Sequence, residues 1–258
     1  SLTSWDLLSA TKPFVGLANY ADMLTDPGFI GVLVRTFLFS GAIVIGCMVA
    51  GLAIAMLLNQ KLLGRNFVRT ISFAPHILSG AAIGTIWLFI FDPTYGLLNA
   101  FLNLGPLSVE SPPWMTDSAW ALPALIIVYL WKNIGFVAVV YVAGLQGMPQ
   151  ELYEAAKIDG AGAWTLFRRI TLPLLSPVTF FVAVTTVIGT FQAFDVIAIM
   201  TDGGPGDATT TLSWYIYEQA FRAFDAGHAG AAAVIMFVIL LLITGAQARF
   251  MERRVHYR

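Results

Sequence analysis

Five long apolar stretches interrupt this chain, and each is long enough, or nearly so, to cross a lipid bilayer. A membrane-spanning helix needs about 20 predominantly apolar residues. The stretches cover residues 31–58, 71–91, 119–145, 172–200 and 228–248. Hydrophobic residues make up 58% of the chain and charged residues only 11%, which is too apolar for the surface of a water-soluble domain. The sequence therefore predicts an all-α, polytopic membrane helix bundle with five spans.

Positive charges are distributed unevenly among the connections between these stretches. Lys and Arg near the ends of spans stay on the cytoplasmic side. They cluster in the first connection, the third connection and the tail, at Lys61, Arg65, Arg69, Lys157, Arg168, Arg169, Arg249, Arg253, Arg254 and Arg258. The other two connections are acidic or neutral. We therefore expect a cytoplasmic carboxyl terminus, an extracytoplasmic segment over residues 1–30, and a transmembrane domain over residues 31–258.

The outer connections and the amino-terminal segment carry two further expectations. Short interfacial helices are expected over residues 95–104 and 212–224, which are apolar without being long enough to span. Residues 1–30 must reach the outer side although they carry no signal-peptide pattern. We therefore predict a sixth span upstream of Ser1, missing from this sequence.

Charge, cysteine and histidine content bear on the class of function. The net charge is only -1, so no nucleic-acid partner is expected. Cys47 is the single cysteine and lies in an apolar stretch, where we interpret it as a small buried hydrophobe rather than a disulfide or metal ligand. The histidines, His76, His228 and His256, are scattered and do not form the catalytic cluster of a membrane enzyme. For His76, helix packing is favoured over proton transfer.

A compact polar segment over residues 146–171 separates the third and fourth apolar stretches. Pro149 can occupy the first turn of a helix, and Glu151 and Glu154 favour the positive end of that helix. Gly160 or Gly162 can end it. On composition alone, the favoured interpretation is an amphipathic helix lying on the membrane surface.

The pattern of this segment resembles the EAA loop of permease subunits of binding-protein-dependent ABC importers. Glu154, Ala155 and Ala156 are followed after three residues by Gly160, and after nine more by the run Ile170 to Pro173. Other segments resemble the carbohydrate-uptake branch of these importers, the maltose and glycerol-3-phosphate type: FVGLANY at 14–20, DGGPGDATTTL at 202–212 and MERRVHY at 251–257.

The resemblance implies the fold of a type I ABC importer permease with six spans, and it assigns roles to residues. The polar segment would form a coupling helix that docks on an ATPase subunit. The residues carried over for this contact are Glu151, Glu154, Ala155, Ala156, Asp159, Gly160 and Ala161. The solute-binding protein would contact an exposed, tightly turned outer loop at Gly203, Gly204, Pro205, Gly206 and Asp207.

The same resemblance implies partners and a location. The partners would be a second homologous permease, two ATP-binding subunits and an extracytoplasmic solute-binding protein, assembled in the cytoplasmic membrane of a bacterium or archaeon. No cofactor is expected in this chain. It has no Walker motif, so ATP and Mg²⁺ would be held by the partner ATPases.

Polar and aromatic residues inside the apolar stretches are candidates for the solute path. Charges within spans are costly and usually face a cavity or a partner. The candidates are Trp87, Trp131, Lys132, Asn133, Tyr141, Gln192 and Asp195. Gln192 and Asp195 are expected to share one helix face. An ion pair between Lys132 and Asp195, or polar contacts between helices, is an equally open interpretation. Arg35 is expected to extend to the outer membrane interface.

These observations predict a permease that forms, with a second permease, the path for a di- or oligosaccharide, and not an enzyme. Import of glycerol-3-phosphate or glycerophosphodiesters by the same machinery is the alternative, with Lys132 as the deep cation for a phosphate. An ion-coupled secondary transporter is the alternative of another class. It would need internal repeats, broken midplane helices and a coupling carboxylate, and Asp195 is the candidate for the carboxylate.

Overall fold

The computed structural model describes residues 1–7, 9–60, 64–103 and 112–252, and the regular structure of these residues is helical. A single isolated β-bridge, between Thr3 and Phe14, is the exception within these ranges. In chain order the α-helices are α1 (Ala18–Thr25), α2 (Pro27–Leu58), α3 (Arg65–Ile77), α4 (Gly80–Ile90), α5 (Leu97–Asn103), α6 (Ser118–Gln146), α7 (Gln150–Ile158), α8 (Ala163–Leu166), α9 (Leu172–Leu174), α10 (Ser176–Phe191), α11 (Asp195–Met200), α12 (Leu212–Tyr217) and α13 (Ala226–Glu252). π-Helical turns follow α8, at Phe167–Thr171, and α12, at Glu218–Arg222.

The predicted all-α bundle of membrane helices is confirmed. Four helical segments are long and apolar enough to cross a membrane, namely Pro27–Leu58, Ser118–Gln146, Ser176–Met200 and Ala226–Phe250. The bent pair of α3 and α4 makes a fifth candidate. The short helices expected in the outer connections are present as α5 and as α12 with its π-helical turn. Lys61, residue 104 and the tail residues 253–258 lie outside the described ranges.

The span predicted over residues 71–91 is broken into two helices. α3 ends at Ile77, α4 begins at Gly80, and the chain bends by 102° between them. Pro75 lacks a backbone donor, which weakens the last turns of α3. Ser79 then starts a new helix, because its extended backbone places the side-chain oxygen 3.2 Å from the Ala82 N–H that it accepts. The predicted span is therefore a bent pair of helices.

The span predicted over residues 172–200 is also interrupted. α10 ends at Phe191 and α11 begins at Asp195, with Ala193 and Phe194 between them outside any helix. The end of a helix leaves carbonyl groups without partners in the helix. The Ser213 hydroxyl donates to the carbonyl of Ala193 and so satisfies one acceptor at this break.

The amino-terminal segment is folded, and the first span starts earlier than predicted. Asn19 donates from its side-chain amide to the carbonyls of Ser1 and Thr3, at 2.9 and 3.2 Å. Asp26 accepts the N–H groups of Gly28 and Phe29, at 3.1 and 3.0 Å, which caps the first turn of α2. The boundary predicted between residues 30 and 31 therefore moves to Pro27.

The chain forms two compact units. The first comprises Ser1–Ile43, Leu78–Tyr129 and Val187–Leu241, and the second comprises Val44–Ile77, Leu130–Thr186 and Leu242–Arg258. A buried apolar cluster in the first unit contains Met23, Phe29, Val32, Leu212, Ala231 and Ala232. In the second unit, helices approach closely at glycines of α2 and α6. Because lipid is as apolar as these side chains, close packing rather than removal from water holds such helices together.

Candidate functional site

The predicted coupling helix corresponds to α7, which lies within the second unit and has no buried residue. Pro149 is its N-cap rather than part of its first turn, and Glu151 lies in that turn. The helix ends where Gly160 adopts a left-handed φ of 79°. The N–H of Gly160 donates to Lys157 and that of Ala161 donates to Ala156, at 3.0 and 2.9 Å. This is a Schellman motif, in which glycine carries the left-handed conformation at low cost.

The surface of α7 and of the turn after it is largely open to contact. Glu151, Glu154, Ala155, Asp159 and Gly160 are exposed, and Ala156 and Ala161 are partly exposed. A cavity of about 390 Å³ next to the end of the helix is lined by Ala156, Asp159, Gly160, Ala161, Thr165 and Arg169, among others. Two large apolar side chains also project here: Ile158 is 86% exposed and Trp164 is 69% exposed. Ile158 and Trp164 were not predicted as contact residues, although the helical spacing of the segment could have indicated both.

Tyr153 connects α7 to both flanking parts of the polar segment. Its hydroxyl lies 3.0 Å from Thr171 Oγ1 and 3.0 Å from Met148 Sδ. Thr171 is buried and ends the π-helical turn that leads into α9. This contact was also not predicted, because Tyr153 and Thr171 lie on separate helical elements and a local pattern does not indicate how those elements pack.

The polar candidates of the first unit meet where its two helix breaks come together. Asp195 begins α11, and its Oδ1 accepts the Tyr129 hydroxyl at 3.4 Å. A carbon added at Gly80 would lie 1.6 Å from Asp195 Oδ2, so the carboxyl group rests against the first residue of α4. The N–H groups at a helix start carry partial positive charge, which favours a carboxylate there.

Gln192 and Asp195 are both exposed, but they do not share a helix face as predicted. Gln192 follows the last residue of α10, and Asp195 is the first residue of α11. Trp87, the aromatic candidate of this unit, packs 5.0 Å from Phe91, whose ring is stacked 5.0 Å from Trp114. These contacts favour a packing role for Trp87.

The second unit contains the other candidates for the solute path. Trp131 is 40% exposed, and Lys132 and Asn133 are partly exposed. Asn133 forms a hydrogen bond with His76, whose ring stacks 4.5 Å from that of Phe136. The packing role predicted for His76 agrees with this stack.

Tyr141 is 1% exposed and hydrogen-bonded to Thr179, so it does not line an accessible surface of the chain. This burial goes against the prediction that Tyr141 contacts solute. The ion pair suggested between Lys132 and Asp195 stays a prediction. Cys47 is buried, as predicted.

The loop over residues 201–211 is more tightly built than the predicted exposed loop. Asp202, Gly206 and Asp207 are exposed, Gly204 and Pro205 are partly buried, and Gly203 is buried. Asp202, Gly203, Gly206 and Asp207 have left-handed φ values, and the Gly204–Pro205 bond between them is cis. A carbon added at Gly203 would lie 2.3 Å from Trp214 Nε1, so the loop packs directly on that buried ring.

Two arginines hold this loop in place. Arg35 donates from Nε to the Thr210 carbonyl at 3.3 Å, and its extension to the outer membrane interface stays a prediction. Arg222 makes two bonds to Asp202, at 2.6 and 3.0 Å, and lies 5.0 Å over the Trp214 ring. The paired bonds to Asp202 raise the pKa of Arg222. The residues predicted to contact a binding protein therefore belong to a preformed surface of the first unit.

Metal coordination is not evident in the part of the chain that the structure describes. No group of three or more His, Cys, Asp or Glu side chains there could hold a metal ion. His228 and Asp225 pair with each other at 2.7 Å and lie at the start of α13.

The fold and these exposed surfaces define a multi-pass membrane protein with a polar helix open to a partner. Residues 42–257 match the family model described as "Binding-protein-dependent transport system inner membrane component". The chain belongs to this family. It is therefore a membrane transport component and not an enzyme, and the ion-coupled transporter considered above is set aside.

Relatives with named solutes cover most of the chain. The sn-glycerol-3-phosphate transport system permease protein UgpA of Agrobacterium fabrum is 36% identical over 253 residues, which is 98% of this chain and 85% of the relative. The probable starch degradation products transport system permease protein AmyD of Thermoanaerobacterium thermosulfurigenes is 33% identical, with 98% and 85% coverage.

A solved structure has the same fold. It is a bacterial alginate ABC transporter in complex with a periplasmic protein that holds an alginate pentasaccharide. The similarity has a TM-score of 0.81 at 25% identity, and covers 92% of this chain and 83% of that one. The expected architecture of a type I ABC importer permease is thus confirmed.

Proposed function

We propose that this chain is one of two permease subunits of an ATP-driven importer that carries a neutral di- or oligosaccharide across the cytoplasmic membrane. Two ATP-binding subunits would supply the energy through α7. A solute-binding protein would deliver the sugar at the outer loop over residues 201–211.

The observation that carries this proposal is the construction of α7. A nine-residue helix without a buried residue gains little from its own chain, since isolated short helices are marginal in water. Exposed alanines allow close approach of a second surface, and Glu154 can bind a basic group there. The 86% exposure of Ile158 adds an apolar contact. These are the features of a docking helix rather than of a helix packed within its own subunit.

The charge distribution supports the orientation in this proposal. Lys157 lies in the last turn of α7, Arg168 and Arg169 follow in the same unit, and all three are exposed. Positive residues at span ends stay cytoplasmic, so α7 would face the ATPases. The carboxyl terminus would then be cytoplasmic and residues 1–26 extracytoplasmic. Reaction of a single cysteine introduced at Tyr95, which is 89% exposed, with a membrane-impermeant thiol reagent added outside would test this orientation in a Cys47→Ala background.

The break between α10 and α11 supports a neutral solute. Asp195 and Gln192 are exposed there and offer oxygen acceptors and an amide, which suit sugar hydroxyl groups. Glycerol-3-phosphate or a glycerophosphodiester is the second candidate, favoured by Lys132 in the second unit and by the named solute of the UgpA relative.

A glycine pair offers a matched test of the coupling role. Gly160 and Gly162 each have open space where a side-chain carbon would be added, but only Gly160 has a left-handed φ. Valine at Gly160 would cost about 2 kcal/mol of backbone strain, roughly a 30-fold loss of the native helix end. Gly162→Val carries no such strain and is the control.

The assay is solute uptake and ATP hydrolysis by the purified complex, with its binding protein, in the same lipid vesicles. Gly160→Val should lower uptake per ATP hydrolysed by about tenfold or more, while Gly162→Val stays near the parent. Normal coupling in Gly160→Val would contradict the assignment of α7. Loading the binding protein in turn with maltodextrins, glycerol-3-phosphate and glycerophosphodiesters distinguishes the two solute classes by which one stimulates ATP hydrolysis.

A further inference from the structure

The hydroxyl of Tyr153 occupies the junction of the three parts of the polar segment. It contacts Met148, which lies between α6 and α7, and Thr171, which leads through α9 toward α10. Among the residues of α7, Tyr153 and Ala156 alone are partly buried and the rest are exposed. We propose that the Tyr153–Thr171 hydroxyl pair is a positioning contact that transmits movement of α7 to the span beginning at α9. This inference rests on the proposed function.

The distances favour one direction of hydrogen bonding between the two hydroxyl groups. Each hydroxyl has a single hydrogen, so at most two of the contacts from Tyr153 to Met148, from Tyr153 to Thr171 and from Thr171 to the Leu166 carbonyl can form together. The contact to Leu166 is the longest, at 3.4 Å, compared with 3.0 Å for the others. The shorter distances favour donation from Thr171 to Tyr153 and from Tyr153 to the Met148 sulfur, although either hydroxyl can donate in the Tyr153–Thr171 contact.

The surroundings of Thr171 make this pair a stiff connection to the next span. Thr171 is 7% exposed, and its carbonyl accepts the Leu175 N–H at 2.9 Å. Leu175 is fully buried, and a carbon added at Gly144 of α6 would lie 3.1 Å from it. A displacement of Tyr153 is thus passed to a residue that is already packed against another span of the same unit.

Removing either hydroxyl tests the pair with little change in shape. Tyr153→Phe and Thr171→Val each delete one oxygen and so remove the contact. The double variant deletes both oxygens. A neutral hydrogen bond is worth about a factor of five in equilibrium, so each single variant should lower uptake per ATP hydrolysed about fivefold. The double variant should be no worse than the poorer single variant, because both remove the same interaction.

The controls separate transmission from stability. Tyr95→Phe alters a tyrosine that is 89% exposed in an outer connection, and Thr185→Val alters a hydroxyl bonded to the Phe181 carbonyl of its own helix. Both should leave uptake per ATP unchanged. Co-purification of the ATPase subunits and the thermal unfolding temperature of the complex are measured for every variant and should match the parent.

The outcomes are distinct from those of the proposed function. If the parent complex shows no solute-stimulated ATP hydrolysis, the proposed function fails. If the parent couples and Tyr153→Phe couples equally well, the positioning role alone is refuted. Loss of assembly in Tyr153→Phe, or effects of the single variants that add in the double variant, would also overturn it, since the hydroxyl would then serve structure without transmitting movement.

Discussion

Substitution of Gly80 by alanine should destabilise the first unit far more than an ordinary glycine-to-alanine change in a helix. The added carbon would lie 1.6 Å from Asp195 Oδ2, 2.1 Å from Cγ and 2.6 Å from Oδ1, so the entire carboxyl group would have to leave its position. Normal contact begins near 3.4 Å, which requires a shift approaching 2 Å. Asp195 can make this shift only by rotating its carboxyl group away from the start of α4 or by moving the start of α11.

The magnitude follows from two costs. Displacing the carboxylate from the start of α4 loses about 0.3–1 kcal/mol of charge–dipole stabilisation. Forcing a methyl group into a packed contact costs about 1–3 kcal/mol. Gly80→Ala should therefore reduce the free energy of unfolding by about 2–3 kcal/mol. Gly41→Ala is the matched control, because Gly41 lies in a helix of the same unit with nothing within 4 Å of an added carbon. That variant should be neutral or gain up to about 1 kcal/mol.

The assay is thermal and denaturant unfolding of the chain in detergent, with Gly80→Ala, Asp195→Ala and the double variant compared. Asp195→Ala removes the group that the new methyl would strike, so the double variant should recover much of the loss. Equal stability of Gly80→Ala and Gly41→Ala would refute the close contact. Strict additivity of the two changes would refute its assignment to Asp195.

Two further predictions concern the outer surface. Asp202→Asn removes the paired bonds to Arg222, so it should weaken the affinity of the complex for its binding protein severalfold while leaving basal ATP hydrolysis unchanged. A charge reversal of both residues should restore part of the lost affinity. An unchanged affinity in Asp202→Asn would contradict the role of the ion pair. Backbone bonds from Tyr95 and Thr94 lower the pKa of Asp92, so this turn is stabilised above the unfolded pKa of about 3.9 and loses that stability as pH falls through the lower folded value. Amide protection at Thr94, corrected for intrinsic exchange, should fall below about pH 4 in the parent and not in Asp92→Asn; equal behaviour of the two would contradict it.

Helices that depend on a single apolar run were predictable to within a few residues. α6 spans Ser118–Gln146 against a predicted 119–145, because the length of an apolar run is a one-dimensional signal. The start of α2 was missed, since Asp26 and Pro27 look polar or helix-breaking until the cap geometry is known. The residues that set this start, Asp26 and Pro27, are local to it and visible in the sequence.

The two helix breaks differ in whether local sequence signals mark them. Pro75 and Ser79 are recognisable end and start signals, and the apolar run around them concealed their effect. No proline or strong cap marks the break before Asp195. Its position depends on contacts from distant parts of the chain, such as the bond from the Ser213 hydroxyl to Ala193 and the packing of Ile199 against Gly84. Contacts of that kind cannot be derived from the local pattern.

The candidate site was predictable where a motif carried it and not where two distant residues meet. The coupling role of α7 was expected from its resemblance to the EAA loop, and its end at Gly160 was one of the two ends that the sequence left open. The pairing of Tyr153 with Thr171 and of Gly203 with Trp214 did not, because both depend on how separate helices pack. Burial likewise removed Tyr141 from the accessible candidates, although its position in an apolar stretch looked equivalent to that of Trp131.

The two broken helices bear on the energy source of transport. Two interrupted spans that meet at a carboxylate are the features expected of an ion-coupled transporter, and the geometry around Asp195 taken alone fits that class. The family of this chain is a binding-protein-dependent one, and the exposed helix α7 in the second unit is available to a partner that supplies energy. The break would then act as a polar solute contact, and the energy would enter at α7. The distinction is testable: a dissipated ion gradient should leave uptake intact, whereas Gly160→Val should not.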